Sequence, residues 1–291
     1  MAQDHIFVAC VICFYLTCLR CLASVVLLCI YANKGYGVIL TKPRKVILNE
    51  TRNSQNLSDE LNLLYSVDSQ TKAVSFVPVI QQIHSYGNPS INRAEFFFRP
   101  KGKCPESFYQ QLSDEECSFI TKHQLKWLTR FIELKIQSKS ILVDELFVNV
   151  DPVALSSVVA EIIVLRDVLA DRNVSLVIEI TERKPDAINS ELVIELFNYG
   201  VLFALDDFSF EQDIRKALLK TECIRYIKAD VNSVKGLGDF SDSLSEYSDH
   251  RFIIEKVESV DDVDICLQIK CEAIQGFYLS HSVTIDSMYI N

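Results

Sequence analysis

No strand-like run in this sequence leads into a glycine-rich phosphate loop, and the whole chain of 291 residues holds only 8 glycines. A nucleotide-binding Rossmann domain cradles pyrophosphate on such a loop, so that class is disfavoured. An excess of positive charge is also missing, because 39 acidic against 29 basic side chains give a formal net charge of -10. Nucleic-acid polymers are held by Lys and Arg surfaces, which argues against a polymer partner but not against a small phosphate ligand held through a metal. Paired metal spacing is missing from the cysteines beyond the N-terminal segment too. Cys10, Cys13, Cys18, Cys21 and Cys29 fall in one apolar N-terminal segment, while Cys104, Cys117, Cys223, Cys266 and Cys271 are scattered. That distribution suits free thiols in a reducing compartment rather than a disulfide scaffold.

The N-terminal apolar run lacks the basic residues that would precede it in a signal peptide. Asp4 and His5 come before it, and Lys34, Lys42, Arg44 and Lys45 come after. From Ile6 to Tyr31 only Thr17, Arg20 and Ser24 are clearly polar. Such a run is long enough to cross a bilayer if Arg20 is tolerated, so residues 1–32 are expected to form a transmembrane segment. Basic residues on its far side keep the rest of the chain in the cytoplasm, which makes the protein single-pass. A cleaved leader and a hydrophobic hairpin broken at Arg20 are the alternatives. The sequons at Asn49, Asn56 and Asn173 matter only if the body is exported, and are discounted. Residues 33–72 are more polar and are expected to be a linker followed by a short amphipathic helix near Leu57 to Ser66.

What the remainder does contain is a rhythm of strands and helices over residues 73–291, and its 49% hydrophobic composition can fill a sizeable core. Strands are expected at Ala73 to Gln81 and Ile91 to Arg99, joined hairpin-style through Gly87-Asn88-Pro89, then at Ile141 to Val150 and Ser175 to Thr181. Further strands follow at Val201 to Phe208, Cys223 to Lys228, Arg251 to Val257 and Ala273 to Leu279. Helices are expected at His123 to Ser138, Pro152 to Leu169, Ser190 to Tyr199 and Val260 to Ile269. This alternation predicts a TIM-like (β/α)8 barrel with an antiparallel first strand, and an open doubly wound sheet is the alternative.

The strand ends share a chemistry. Val201-Leu202-Phe203-Ala204-Leu205 runs into Asp206 and Asp207, and a helix cap or solvated turn would account for either alone. Other strands end alike, with Glu95, Asn149, Glu179, Lys228, Glu255 and Gln275. The carboxyl ends of barrel strands form the face where active sites lie. All of these residues except Lys228 can offer oxygen to Mg2+ or Mn2+, the hard donors that such cations take.

Several motifs here resemble, in order, those of the EAL-domain phosphodiesterases of bacterial cyclic di-GMP signalling. Ala94-Glu95-Phe96-Phe97-Phe98-Arg99 is similar to the signature strand, with Phe96-Phe97 in place of Ala-Leu. Phe147-Val148-Asn149-Val150 and Ile178-Glu179-Ile180-Thr181-Glu182 are similar to the asparagine and glutamate strands. Leu205-Asp206-Asp207-Phe208 resembles the aspartate pair, and Ile227-Lys228-Ala229-Asp230 the lysine strand. Ile254-Glu255-Lys256-Val257-Glu258 and Ile274-Gln275-Gly276-Phe277 resemble the second glutamate motif and the closing motif.

The resemblance implies a two-metal site for Mg2+ or Mn2+, with Glu95, Asn149, Glu179 and Asp206 on one cation and Asp206 with Asp207 on a second. It gives Lys228 the role of orienting or deprotonating water, Glu255 and Gln275 that of positioning, and Arg99 that of meeting a substrate phosphate. The expected activity is hydrolysis of cyclic di-GMP to linear pGpG, with the membrane and a second copy of the chain as further partners. An inactive EAL-like domain that binds the dinucleotide or a protein is the alternative. Three departures bear on this choice. Ser209-Phe210-Glu211-Gln212-Asp213 replaces a loop resembling Gly-Thr-Gly-Tyr-Ser-Ser that helps order the metal site and dimer interface, Val77 stands where a substrate-contacting glutamine is usual, and Ser282 replaces a proline.

Overall fold

β-rich runs in the sequence become ten strands that share one sheet in the computed structural model, which describes residues 60–67, 70–86, 91–135, 143–237 and 247–285. In chain order the described elements are β1 (Leu61–Val67), β2 (Gln70–Ser85), β3 (Arg93–Pro100), α1 (Pro105–Gln110), α2 (Asp114–Lys135) and β4 (Glu145–Val150). Then come α3 (Pro152–Leu155), α4 (Val159–Ala170), β5 (Ser175–Ile180), α5 (Ser190–Asn198), β6 (Leu202–Leu205) and β7 (Ile224–Asp230). The last are α6 (Val231–Lys235), β8 (Arg251–Glu255), α7 (Val260–Ile269), β9 (Ala273–Ile274) and β10 (Val283–Thr284). Residues 1–32 and 33–59, and with them the expected transmembrane segment, lie outside the described residues. Among the described residues no helix is long and apolar enough to cross a membrane.

Strands β2 to β9 pair in sequence order, and β2 pairs back to β9, so they close a TIM-like barrel. Neighbours from β3 to β9 are parallel, whereas β2 runs antiparallel to both β3 and β9. The antiparallel first strand of the sequence reading is therefore present. Inside the barrel, Ile83, Phe147, Val177, Ala204, Tyr226, Ile253 and Ala273 form one buried cluster, each from a different strand. Side chains of about this size each contribute roughly 1.5–3 kcal/mol when fully buried. Strand β3 closes this layer with Arg93, whose guanidinium lies 5.7 Å from the Tyr226 ring centroid. Arg93 is fully buried, and ion pairs to Glu145 at 2.7 Å and Glu272 at 2.6 Å neutralise it.

Several expected boundaries differ. Of the segment read as a helix near Leu57 to Ser66, residues 57–59 lie outside the described residues, and from Leu61 on it is instead strand β1, paired antiparallel to β2. Leu57, Leu61 and Leu64 fit a helical stripe, but Leu61, Leu63 and Tyr65 alternate inward along the strand, and the partner strand decides the period. Strand β2 also begins at Gln70, ahead of the expected barrel start at residue 73. Helix α2 begins at Asp114 rather than near His123. Its start is a reciprocal cap in which Glu116 N donates to Ser113 Oγ and Ser113 N donates to Glu116 Oε2, each at 3.2 Å. The helix expected from Pro152 to Leu169 is split at Ser156-Ser157, where Ser157 Oγ donates to Ala154 O at 2.7 Å.

Strand β9 is cut short at Ile274 because the chain turns over β8 at Gly276. A Cβ there would lie 2.1 Å from Val257 O, so only glycine admits the approach.

Candidate active site

Side chains of a strand alternate between faces, so the residue two positions along from each member of the apolar layer also points into the barrel. Those residues are Glu95, Asn149, Glu179, Asp206, Lys228, Glu255 and Gln275, and on the antiparallel strand Gln81, which pairs with Glu95 in register. Each of the eight barrel strands thus supplies one polar side chain directly above the apolar floor. The ring brings together seven of the nine residues that the sequence singled out. Gln81 was missed, and the position expected to carry a glutamine, Val77, lies further along β2, opposite Arg99.

At the centre is the Lys228 ammonium, on a side chain with no solvent exposure. It lies 2.6 Å from Glu179 Oε1, 2.9 Å from Glu255 Oε1, 3.2 Å from Glu95 Oε2 and 3.4 Å from Asp206 Oδ1. Burial disfavours its charge, but Glu179, Glu255, Glu95 and Asp206 together hold its pKa well above the ordinary lysine value. The carboxylates respond unequally. Burial would raise Glu95, yet Lys228 and hydrogen bonds from Gln275, Lys228 and Asn149 carry it below the usual value. Burial and the Glu95 charge push Glu179 well up, against the pull of Lys228. Burial likewise pushes Glu255 up to about 8, opposed by Lys228 and aided by Asp206 and Glu95.

Hydrogen bonding around Glu95 fixes the amides. Asn149 Nδ2 donates to Glu95 Oε1 at 2.6 Å, and Gln275 Nε2 donates to Glu95 Oε2 at 2.8 Å. With both amine ends committed, Asn149 Oδ1 and Gln275 Oε1 are buried without a donor. Both oxygens of Glu179 are in the same condition, since the Lys228 contact at 2.6 Å lies outside hydrogen-bond angles. Such oxygens are costly to bury unless something satisfies them. Three carboxylates, Glu95, Glu179 and Asp206, and the Asn149 amide oxygen are hard donors of the kind Mg2+ or Mn2+ takes, and in this structure the carboxylates converge on the Lys228 ammonium.

A second acidic group lies at the rim. One oxygen each from Glu182, Asp206 and Asp207 falls within 4.8 Å of the others. Asp207 belongs to this rim and not to the inner ring, because its φ of 42° turns the chain out of β6. Burial, then Asp206 and Asp207, raise the Glu182 pKa. Glu182, which ends the glutamate-strand motif, thus faces the aspartate pair. The Lys256 ammonium sits 3.0 Å from Asp207 Oδ1 and 3.1 Å from Asp230 Oδ2. Arg99 is exposed, lies 5.3 Å over the Phe97 ring centroid, and donates to Ser282 Oγ at 3.0 Å. These groups line a cleft of about 580 Å3 above the ring, a size that suits a small ligand.

The segment that replaces the glycine loop is tied down by a different device. Asp213 accepts from Arg215 Nε at 2.9 Å and from Ser209 N at 3.3 Å. Arg215 is itself buried, and its Nη1 donates to Ile180 O at 2.7 Å. That same carbonyl accepts from Asp206 N at 3.0 Å, so the arginine is fastened where the strands carrying Glu179 and Asp206 meet.

No family model and no curated protein matches the chain. Solved structures do match. The EAL domain of FimX from Pseudomonas aeruginosa, bound to c-di-GMP, aligns at a TM-score of 0.55 and 19% identity, over 71% of this chain and 90% of that one. The PaMucR phosphodiesterase in complex with c-di-GMP gives 0.56 at 20% identity, covering 73% of this chain and 99% of that one. An EAL domain protein from Listeria monocytogenes EGD-e gives 0.54 at 18% identity, over 73% and 90% of the two chains. Closed barrel, antiparallel first strand and these alignments agree, and the chain has the EAL-domain fold.

Proposed function

We propose that this chain is a phosphodiesterase that hydrolyses cyclic di-GMP to linear pGpG. The observation that carries the reading is the ring of inward side chains with unpaired oxygens on Asn149, Glu179 and Gln275. A barrel needing only stability has no use for such oxygens, which a metal and a phosphodiester would satisfy. The inner cation position is Glu95, Asn149, Glu179 and Asp206, and the outer one is Asp206 with Asp207. A divalent cation in this setting supplies Lewis acidity to a phosphodiester and acidifies water. Lys228, whose ammonium the surrounding carboxylates favour, would orient water and phosphoryl oxygens. Glu255 and Gln275 fix the ammonium and Glu95 from the sides. Arg99, at the cleft mouth and with no carboxylate bonded to it among the described residues, is placed to receive a phosphate. The PaMucR phosphodiesterase and the FimX domain hold c-di-GMP in their structures, which supports the same ligand here.

A second reading, an inactive domain that binds cyclic di-GMP or a protein partner, is favoured by the replaced loop at Ser209 to Asp213. Membrane tethering through residues 1–32, a cytoplasmic barrel and self-association belong to the proposal and rest on the sequence. One experiment tests activity and anchorage together. Full-length protein, fractionated from cells, is incubated with cyclic di-GMP and Mn2+ beside Glu95→Gln. Expected are pGpG formation in the membrane fraction, a loss of about a hundredfold or more in the variant, and transfer of activity to the soluble fraction on deletion of residues 1–32. Binding without product would overturn the enzyme in favour of an inactive dinucleotide-binding domain, and no binding at all would leave only the protein-partner role.

A further inference from the structure

The outer acidic group already has a cation of its own. Lys256 reaches Asp207 Oδ1 at 3.0 Å and Asp230 Oδ2 at 3.1 Å, while its backbone holds a left-handed φ of 57° that lysine seldom adopts. The adjoining chain fixes that backbone, since Val257 is fully buried and its N donates to Gln275 O at 3.1 Å. Asp230 is fixed as well, because its other oxygen caps α6 by accepting from Asn232 N at 2.7 Å. The ammonium is therefore moored on one side to a helix cap and on the other to one of the two aspartates of the outer position. Asp207 also turns out at φ 42°, so two non-glycine residues in left-handed conformations face each other across this ion pair. Strained residues of this kind gather at functional sites.

We infer that Lys256 is a tethered cation that competes with a divalent metal for the outer position, so that the inner position fills first and the outer one fills only at higher metal concentration. The inference rests on the metal reading of the inner group and adds to it a residue that sets occupancy. It makes turnover, where that needs both positions, a response to metal supply. Because Lys256 and Asp207 are 55% and 41% exposed, solvent and salt weaken the competition, and its effect is modest.

The test counts Mn2+ bound by the full-length chain, by calorimetric titration and by the electron paramagnetic resonance of free Mn2+. In the unsubstituted chain one Mn2+ binds tightly and a second weakly. Lys256→Met is expected to tighten the second by about two- to fivefold and leave the first unchanged, and Lys256→Gly should act likewise while also relieving the left-handed backbone. Lys256→Arg, which keeps the charge, should behave as the parent, and added salt should narrow the gap between parent and Lys256→Met. Identical counts and affinities in parent, Met and Gly forms, with at least one Mn2+ bound, would overturn the role of Lys256 and leave the inner site standing. No bound Mn2+ in any form would overturn both.

Discussion

Glu255 shares Lys228 with three other carboxylates, and its own environment leaves it the carboxyl group most readily titrated near neutral pH. Burial first, then Asp206 and Glu95, push it up to about 8 against the pull of Lys228. A carboxyl whose folded pKa lies above its unfolded value stabilises the fold below the unfolded value and loses that contribution as pH rises through the folded one. In EDTA the thermal midpoint should therefore fall as pH is raised from about 5 to about 9, and Glu255→Gln should flatten that slope. A parent and a variant with the same slope would exclude Glu255 as its source. At this scale much of the site was legible, because residues that end buried parallel strands must all emerge on one face. Gln81 was not. On an antiparallel strand the site face is met in mid-strand, so no strand-end position marks it. Asp207 lies beside Asp206 and Glu182, but its outward turn depends on a left-handed φ that an apolar run does not reveal.

At the scale of elements, the β6–β7 connection shows one loop chemistry standing in for another. Glycines can order a loop by close backbone approach, whereas here a buried Arg215 bonds Asp213 and the Ile180 carbonyl that also holds Asp206 N. Burial would raise the Asp213 pKa, but the Arg215 hydrogen bond and charge carry it below the usual carboxylate value. Removing one partner of a buried pair leaves the other charge uncompensated. Arg215→Met should destabilise the fold by about 3 kcal/mol in denaturant titration and weaken Mn2+ binding, because the junction holding Asp206 loosens. Stability lost with Mn2+ affinity unchanged would separate the loop from the site. The arginine stood in the sequence without a distinguishing sign, since its role depends on a carbonyl 35 residues away. Element boundaries suffered in the same way. Strand β1 carried a helical and a strand pattern at once, and only pairing with β2 resolved them. The start of α2 was missed as well, although Ser113 and Glu116 stand at the spacing of a capping pair.

The described residues close a barrel, and the residues proposed to hold a cation come from widely separated parts of the chain. Glu95 stands on β3, Asn149 on β4, Glu179 on β5 and Asp206 just beyond β6, so a cation held among them would link consecutive strands along the barrel wall. The alternation of strands and helices made that wall readable from sequence, whereas the closing β2–β9 pair, only two residues long in each strand, left no periodic trace. A ligand that binds the folded state alone stabilises it by mass action, about 2.7 kcal/mol at a hundred times its dissociation constant. For a domain of this size that raises the thermal midpoint by roughly 5–10 °C. Mn2+ in such excess should therefore shift the midpoint of the whole transition, followed by far-UV and by near-UV signals alike. Glu179→Gln, which removes a carboxylate from the inner position, should abolish most of the shift even where the variant is itself no less stable in EDTA. A shift of equal size in that variant would mean that the metal acts elsewhere on the molecule.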